Sequence, residues 1–348
     1  MLHLSPRSLR RPRSAPSFLV GLLCLVLAAC SPPASQVASS PTSSRLALVA
    51  YSTPQEAYAR LIPAFQQTQP GHGVLIDPSF GASGSQTQAV ISGLEADVVA
   101  LSLESDVAKL VSASLVAADW NRDDFHGMVT NSVAVLVVRK GNPKNIQSWA
   151  DLLKPDVEVV TPDPFLSGGA KWNLLAAYGA RVKETGSADS ARAYLKDLLG
   201  HVTVQPPSGR EAMTTFVGGK GDVLISYENE AITAQQGGQA VDYVVPTSTI
   251  LIENPIAVLK NARNALVAQA FVAYLRSADG QRQWANAGYR PVLKDVASEV
   301  GASFPVPQAF FTIDDLGGWS TVDKQFFDRD SGLVSQVLRE LAGARGHG

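Results

Sequence analysis

Cysteine is almost missing from this 348-residue chain; Cys24 and Cys30 are the only two, both near the N-terminus. Histidine is scarce as well, with five residues scattered at positions 3, 72, 126, 201 and 347. These two shortages exclude a disulfide scaffold and a Cys/His zinc site. Charge is sparse at 17% of residues, and no basic surplus offsets it. The formal net charge is −2, but four of the 29 basic residues (Arg7, Arg10, Arg11 and Arg13) precede position 30, where no acid stands. The rest carries 25 basic residues against 31 acidic, which is no electrostatic footprint for nucleic acid. The apolar run Phe18–Ala29 has only twelve residues, too few to span a bilayer as a helix. What is present is globular composition: 45% hydrophobic residues with 28 Gly and 21 Pro.

Four arginines followed by that apolar run have the build of a signal peptide over residues 1–29. The run closes on Leu27-Ala28-Ala29-Cys30, which resembles the lipobox of bacterial lipoproteins, so Cys30 is expected to be the lipidated first residue of the mature chain. Ordinary cleavage after Ala29, or an uncleaved anchor, is the plainer alternative. Residues 31–45, rich in Ser, Pro and Ala, read as a flexible tether. The working part is therefore expected outside the cytoplasmic membrane, anchored to its outer face.

From Leu46 onward, strand-like runs alternate with helix-like segments. Strands are expected at 46–51, 74–76, 97–101, 132–138, 157–160, 202–204, 222–227, 241–245 and 249–260. Helices are expected after Pro54, after Gly84, from Ser167 through Tyr178, and near 211–217, 265–277 and 333–341. Such alternation argues for α/β layers around parallel sheets. Some 300 residues exceed one comfortable core, so two lobes are expected.

Three turns pass from a strand through small or hydroxyl residues into a helix: Ser52-Thr53-Pro54, Gly81-Ala82-Ser83-Gly84 and Ser167-Gly168-Gly169. Free N–H groups and the helix dipole at such a start make an anion site. The plain alternative is that these residues only cap their helices. Periodicity does not say whether the three turns meet.

A resemblance does. Thr161-Pro162-Asp163-Pro164 and Ser167-Gly-Gly-Ala-Lys-Trp-Asn-Leu-Leu-Ala-Ala-Tyr178 resemble the T-P-N-P…S-G-G-A-R-W-N segment of bacterial sulfate-binding proteins, the extracytoplasmic receptors of sulfate/thiosulfate ABC importers. Gly84–Val99, Val138–Lys144, Gly221–Ala231 and Gly317-Gly318-Trp319 agree in order and approximate spacing, so the similarity covers about 46–340. It implies a type II periplasmic-binding-protein-like fold with two α/β lobes, a hinge of two crossing strands and a ligand cleft between the lobes. Lobe 1 is expected at 46–128 plus 246–348 and lobe 2 at 129–245. The resemblance further implies a monomer without cofactor or metal, delivering sulfate or thiosulfate to ABC permease subunits driven by a cytoplasmic ATPase.

Carried over by position, the family's donors are the N–H groups of Ser52 (where the family usually has Asp), Ser83, Gly168, Gly169 and Gly209, with the hydroxyl of Ser167. Arg210 matches an arginine that braces the site. Tyr227 stands where the family usually has a Trp indole; a phenol donates too, but it also accepts. None of these positions is Asp or Glu. Sulfate only accepts hydrogen bonds at neutral pH, whereas phosphate keeps a proton over part of the physiological range. A facing carboxylate would repel sulfate. Asp163, Glu228 and Glu230 are accordingly expected behind the site or at the surface.

Three other readings are weighed. Within the binding class, molybdate, tungstate or phosphate could replace sulfate. An exported serine hydrolase would use Ser83 or Ser167, but Gly81-Ala-Ser-Gly-Ser85 lacks the final Gly of a nucleophile elbow. No His stands in a setting suited to a general base. A structural or adhesive lipoprotein would bind no anion.

Overall fold

A computed structural model describes residues 44–345. The apolar run, Cys30 and all of the expected tether but its last two residues lie outside the described residues. In chain order the elements are β1 (Arg45–Tyr51), α1 (Gln55–Gln66), β2 (Leu75–Gly81), α2 (Ser83–Ile91), β3 (Val98–Ala100), α3 (Glu104–Ser112) and β4 (Met128–Arg139). They continue with β5 (Val159–Val160), α4 (Gly168–Thr185), α5 (Ala188–His201), β6 (Val202–Val204), α6 (Gly209–Val217), β7 (Val223–Tyr227) and α7 (Glu228–Gln236). Then come β8 (Val241–Val244), β9 (Ser248–Val258), α8 (Ala265–Arg276), α9 (Ala278–Asn286), α10 (Lys294–Val300), β10 (Ala309–Phe311), α11 (Gly318–Phe326) and α12 (Leu333–Arg345).

The strands lie in the order β2-β1-β3-β9-β4-β7-β5-β6, with β8 on β4 and β10 on β9. In the first half β1 pairs parallel with β2 and β3; in the second, β5 pairs parallel with β6 and β7. The two long strands join the halves. Met128–Val133 of β4 pairs with β9, whereas Ala134–Val138 pairs with β7. Beyond its β4 contact, β9 reaches β3 through Ile256–Val258. These are the two crossing strands that the resemblance implies. The expectation of parallel sheets holds only away from them: β3/β9, β4/β9, β4/β7 and β4/β8 are all antiparallel. One strand carries the chain into the second half and the other brings it back, so they run in opposite directions.

The long strands bury both faces, which is why β4 reads as a nearly continuous apolar run. Tyr58, Leu61 and Phe65 of α1 pack on Phe271 of α8 and Trp284 of α9 beside the first half. The second half buries Trp172 and Leu175 of α4 with Leu195 and Leu198 of α5. The chain's last segment lies there too. Trp319 meets Trp172 edge-on at 4.7 Å, Lys171 bonds Asp323 at 2.5 Å, and Lys196 bonds Glu340 at 2.7 Å. The expected lobe 1 ran unbroken from 246 to 348, but α11 and α12 rest on helices of the second half.

Candidate anion-binding site

The parallel strands of both halves end at one small cavity. Ser52 and Thr53 follow β1, Ser83 follows β2 and opens α2, and Ser102 follows β3; all line it. From the other side come Ser167 and Gly169 at the start of α4, Gly209 at the start of α6, and Tyr227 closing β7. Open α/β sheets place ligands beyond the carboxyl ends of strands, and that is where this cavity sits.

Helix starts supply most of the wall. Ser167 caps α4, its Oγ accepting from the Ala170 N–H at 3.4 Å. That bond uses the oxygen and leaves the hydroxyl proton available, so capping and ligand donation are compatible. Gly168 and Gly169 are the first two residues of α4, where amides have no acceptor within the helix. Ser208 caps α6 and leaves the Gly209 amide in the same position. Ser52 differs: it precedes α1 by three residues, so no helix dipole acts directly at its amide. Its Oγ accepts from the Arg210 N–H at 3.3 Å.

The Ser83 hydroxyl is fully engaged. It donates to Asp106 Oδ2 at 2.7 Å and accepts from the Ser102 N–H at 3.0 Å. This leaves the amide as the ligand-facing group of Ser83. Neither of these partners of the hydroxyl is a histidine. Asp106 is buried and paired with Lys109 at 2.7 Å. Sequence reasoning missed it, for nothing local marks α3 as the neighbour of α2.

Arg210 stands behind the cavity and ties the halves together. Its guanidinium donates to Glu56 at 2.6 Å, the Thr53 carbonyl at 2.9 Å and Glu230 at 2.8 Å. Burial raises the Glu230 carboxyl to about 7, although Arg210 pulls it down; Glu56 adds to the rise. Glu228 is buried against Arg290 at 2.7 and 2.9 Å. Asp163 accepts the Phe165 N–H at 2.7 Å. None of these three acids is among the cavity-lining residues. Tyr227 is 2% exposed, and burial holds its phenol well above its ordinary range, so it keeps its proton.

Of the expected residues, Ser52, Ser83, Ser167, Gly169, Gly209 and Tyr227 line the cavity, Gly168 abuts Ser102, and Arg210 braces from behind. Tyr51, Thr53, Ser102 and Asn173 were not expected in the lining. Asn173 lay inside the quoted S-G-G-A-K-W-N string; its amide holds α4 to Thr161 at 3.1 Å and to the Ile225 carbonyl at 2.7 Å. Ser102 had a weaker signal, standing just past an expected strand end.

Comparison with known proteins places the chain by family and fold. The profile of the family described as bacterial extracellular solute-binding protein matches residues 46–290. A sulfate-binding protein of Synechococcus elongatus is 42% identical over 85% of this chain and 87% of its own. A thiosulfate-binding protein of Pseudomonas aeruginosa is 34% identical over 83% of this chain and 90% of its own. The solved structure of the sulfate-binding protein SubI from Mycobacterium tuberculosis H37Rv superposes with a TM-score of 0.80 at 45% identity, covering 82% of this chain and 100% of that one.

Proposed function

This chain belongs to the bacterial extracellular solute-binding protein family and, within it, to the sulfate-binding proteins, and from that premise we propose that it captures sulfate outside the cytoplasm and hands it to an ABC permease. The observation that carries the reading is the lining itself. It presents amide and hydroxyl donors from both halves of the sheet and no Asp or Glu. A dianion with no proton to give is satisfied there, whereas hydrogen phosphate finds no carboxylate to receive its proton. We assign the donors as the N–H groups of Ser52, Ser83, Gly168, Gly169 and Gly209 with the hydroxyls of Ser167 and Tyr227, and Arg210 as the brace. Thiosulfate, with the same charge and acceptor character, is a second ligand of this cradle.

The remaining assignments follow from this one. Cys30 carries the lipid that holds the protein to the outer face of the membrane, and the protein acts as a monomer. Residues 46–128 and 246–308 form one lobe and 129–245 the other, the tail from 309 lying on the second. Bending of β4 and β9 between their two pairings opens and closes the cleft. Among the described residues no helix is long and apolar enough to cross a membrane.

Calorimetric titration of the full chain with sulfate, thiosulfate, molybdate and phosphate at one pH tests the reading. Tight one-to-one sulfate binding with little response to phosphate is the expected result. A response to molybdate or phosphate but none to sulfate would keep the fold and overturn the ligand.

A further inference from the structure

Ser102 and Tyr227 come from opposite halves of the sheet, and their hydroxyls meet at 2.7 Å with either able to donate. Both line the cavity and both are buried. They stand beside the two amides that open α4. A Cβ on Gly168 would lie 2.8 Å from Ser102 Oγ, and one on Gly169 would lie 3.5 Å from Tyr227 Cε1. The backbone of Ser102 is fully occupied elsewhere. Its N–H donates to Ser83 at 3.0 Å, and its carbonyl accepts from Trp172 Nε1 at 2.9 Å and Asn254 Nδ2 at 3.4 Å. Only the hydroxyl remains to serve the cavity.

Two hydroxyls carry two protons. One proton lies in the bond between them; Asn254 also bonds the Tyr227 hydroxyl, but its Oδ1 already accepts from Thr130 at 3.3 Å, so its amide donates there and the second hydroxyl proton is left for the cavity's occupant. We propose that Ser102 and Tyr227 form a single donor unit for the oxyanion, with either hydroxyl able to hold the outward proton, so that Ser102 is itself a binding residue. This rests on the oxyanion reading above and deepens it, since a lone Tyr227 was the donor assigned from β7. The unit has built-in redundancy. Deleting either oxygen breaks the bond between the pair and frees the survivor's proton for the anion; deleting both removes the donor.

The test is a double-mutant cycle read by sulfate calorimetry on the full chain: wild type, S102A, Y227F and S102A/Y227F. Each single variant is expected to weaken sulfate by about threefold or less, and the double by about thirtyfold or more. Thermal melting checks each fold. If the double variant melts early, S102C/Y227F replaces it, a thiol being a weak donor. A Y227F loss equal to that of the double variant would make Tyr227 the sole donor. Single losses that simply multiply to the double would make the hydroxyls independent; either result overturns the unit. If wild type ignores sulfate but binds another of the four anions, the cycle is run with that anion. If it binds none, the oxyanion reading itself has failed, and the donor unit with it.

Discussion

Gly168 and Gly169 are neighbours with different constraints. A Cβ on Gly168 would come within 2.7 Å of Leu103 Cγ and 2.8 Å of Ser102 Oγ, too close for the start of α4 to keep its place against the end of β3. Gly168→Ala is therefore expected to lower stability by about 1–3 kcal/mol, the usual cost of overpacking, and to weaken sulfate with it. A Cβ on Gly169 would sit at ordinary distances, 3.4 Å from Ser167 Oγ and 3.5 Å from Tyr227 Cε1. Both neighbours line the cavity, so Gly169→Ala should melt like wild type while binding sulfate at least about tenfold more weakly. Melting and calorimetry on the two variants separate the effects. Alanine keeps the amide N–H, so equal affinity of Gly169→Ala and wild type would show that the anion does not approach the backbone closely at this position. Both glycines were legible in the S-G-G motif through its resemblance to a known segment. Their difference was not, because it depends on Ser102 and Leu103 of the β3–α3 turn, some 65 positions earlier in the chain.

At the scale of an element, α4 shows how one residue serves a helix and a ligand together. Ser167→Ala removes the cap acceptor and the ligand donor in one step. Stability should fall by about 1 kcal/mol and sulfate binding by about 1–3 kcal/mol. Ser167→Asp separates the roles: the carboxylate still caps, so melting stays near wild type, but sulfate binding is lost to repulsion. If Ser167→Asp bound sulfate well, the hydroxyl would not face the anion. Strands β1, β3 and β5 to β9 were read nearly in place, whereas β2 and β4 were read short, because Asp77-Pro78-Ser79 and Thr130-Asn131-Ser132 interrupt their apolar runs, and the three-residue β10 was not read. Helices α3, α5, α7, α9, α10 and α11 went unread; three of them show why. Helix α3 has no side-chain cap, α9 is largely polar, and α10 is only seven residues long. Strand direction was misjudged for β4 and β9, since periodicity reports which faces are buried and not which way a neighbour runs.

For the molecule as a whole, Arg210 joins Glu56 and Thr53 of the first half to Glu230 of the second. Glu230 titrates near 7 in the folded protein because burial raises it from the ordinary 4.5, while its Oε2 has no hydrogen-bond partner among the described residues. The folded chain therefore holds a proton there that the unfolded chain has already lost. Stability from this group is present below about pH 4.5 and declines as pH rises through 7, by at most about 3 kcal/mol. Denaturant midpoints followed from pH 4.5 to 8 should show the decline in wild type and a flatter profile in Glu230→Gln. Equal slopes would show that Glu230 titrates normally. The sequence put Glu230 behind the site or at the surface but gave no hint of this behaviour, which comes from burial and from Glu56, against the opposing pull of Arg210 twenty residues away.

The cradle is also lopsided. On the proposed assignment Ser52, Ser83 and Ser102 come from the first half, whereas Ser167, Gly168, Gly169, Gly209 and Tyr227 come from the second. An anion reaching a parted molecule would thus find most of its contacts on one side and settle there first. The first half then acts as a cover rather than as a catcher. On that assignment, changes in the first half are expected to alter how long the anion stays, and changes in the second how fast it arrives.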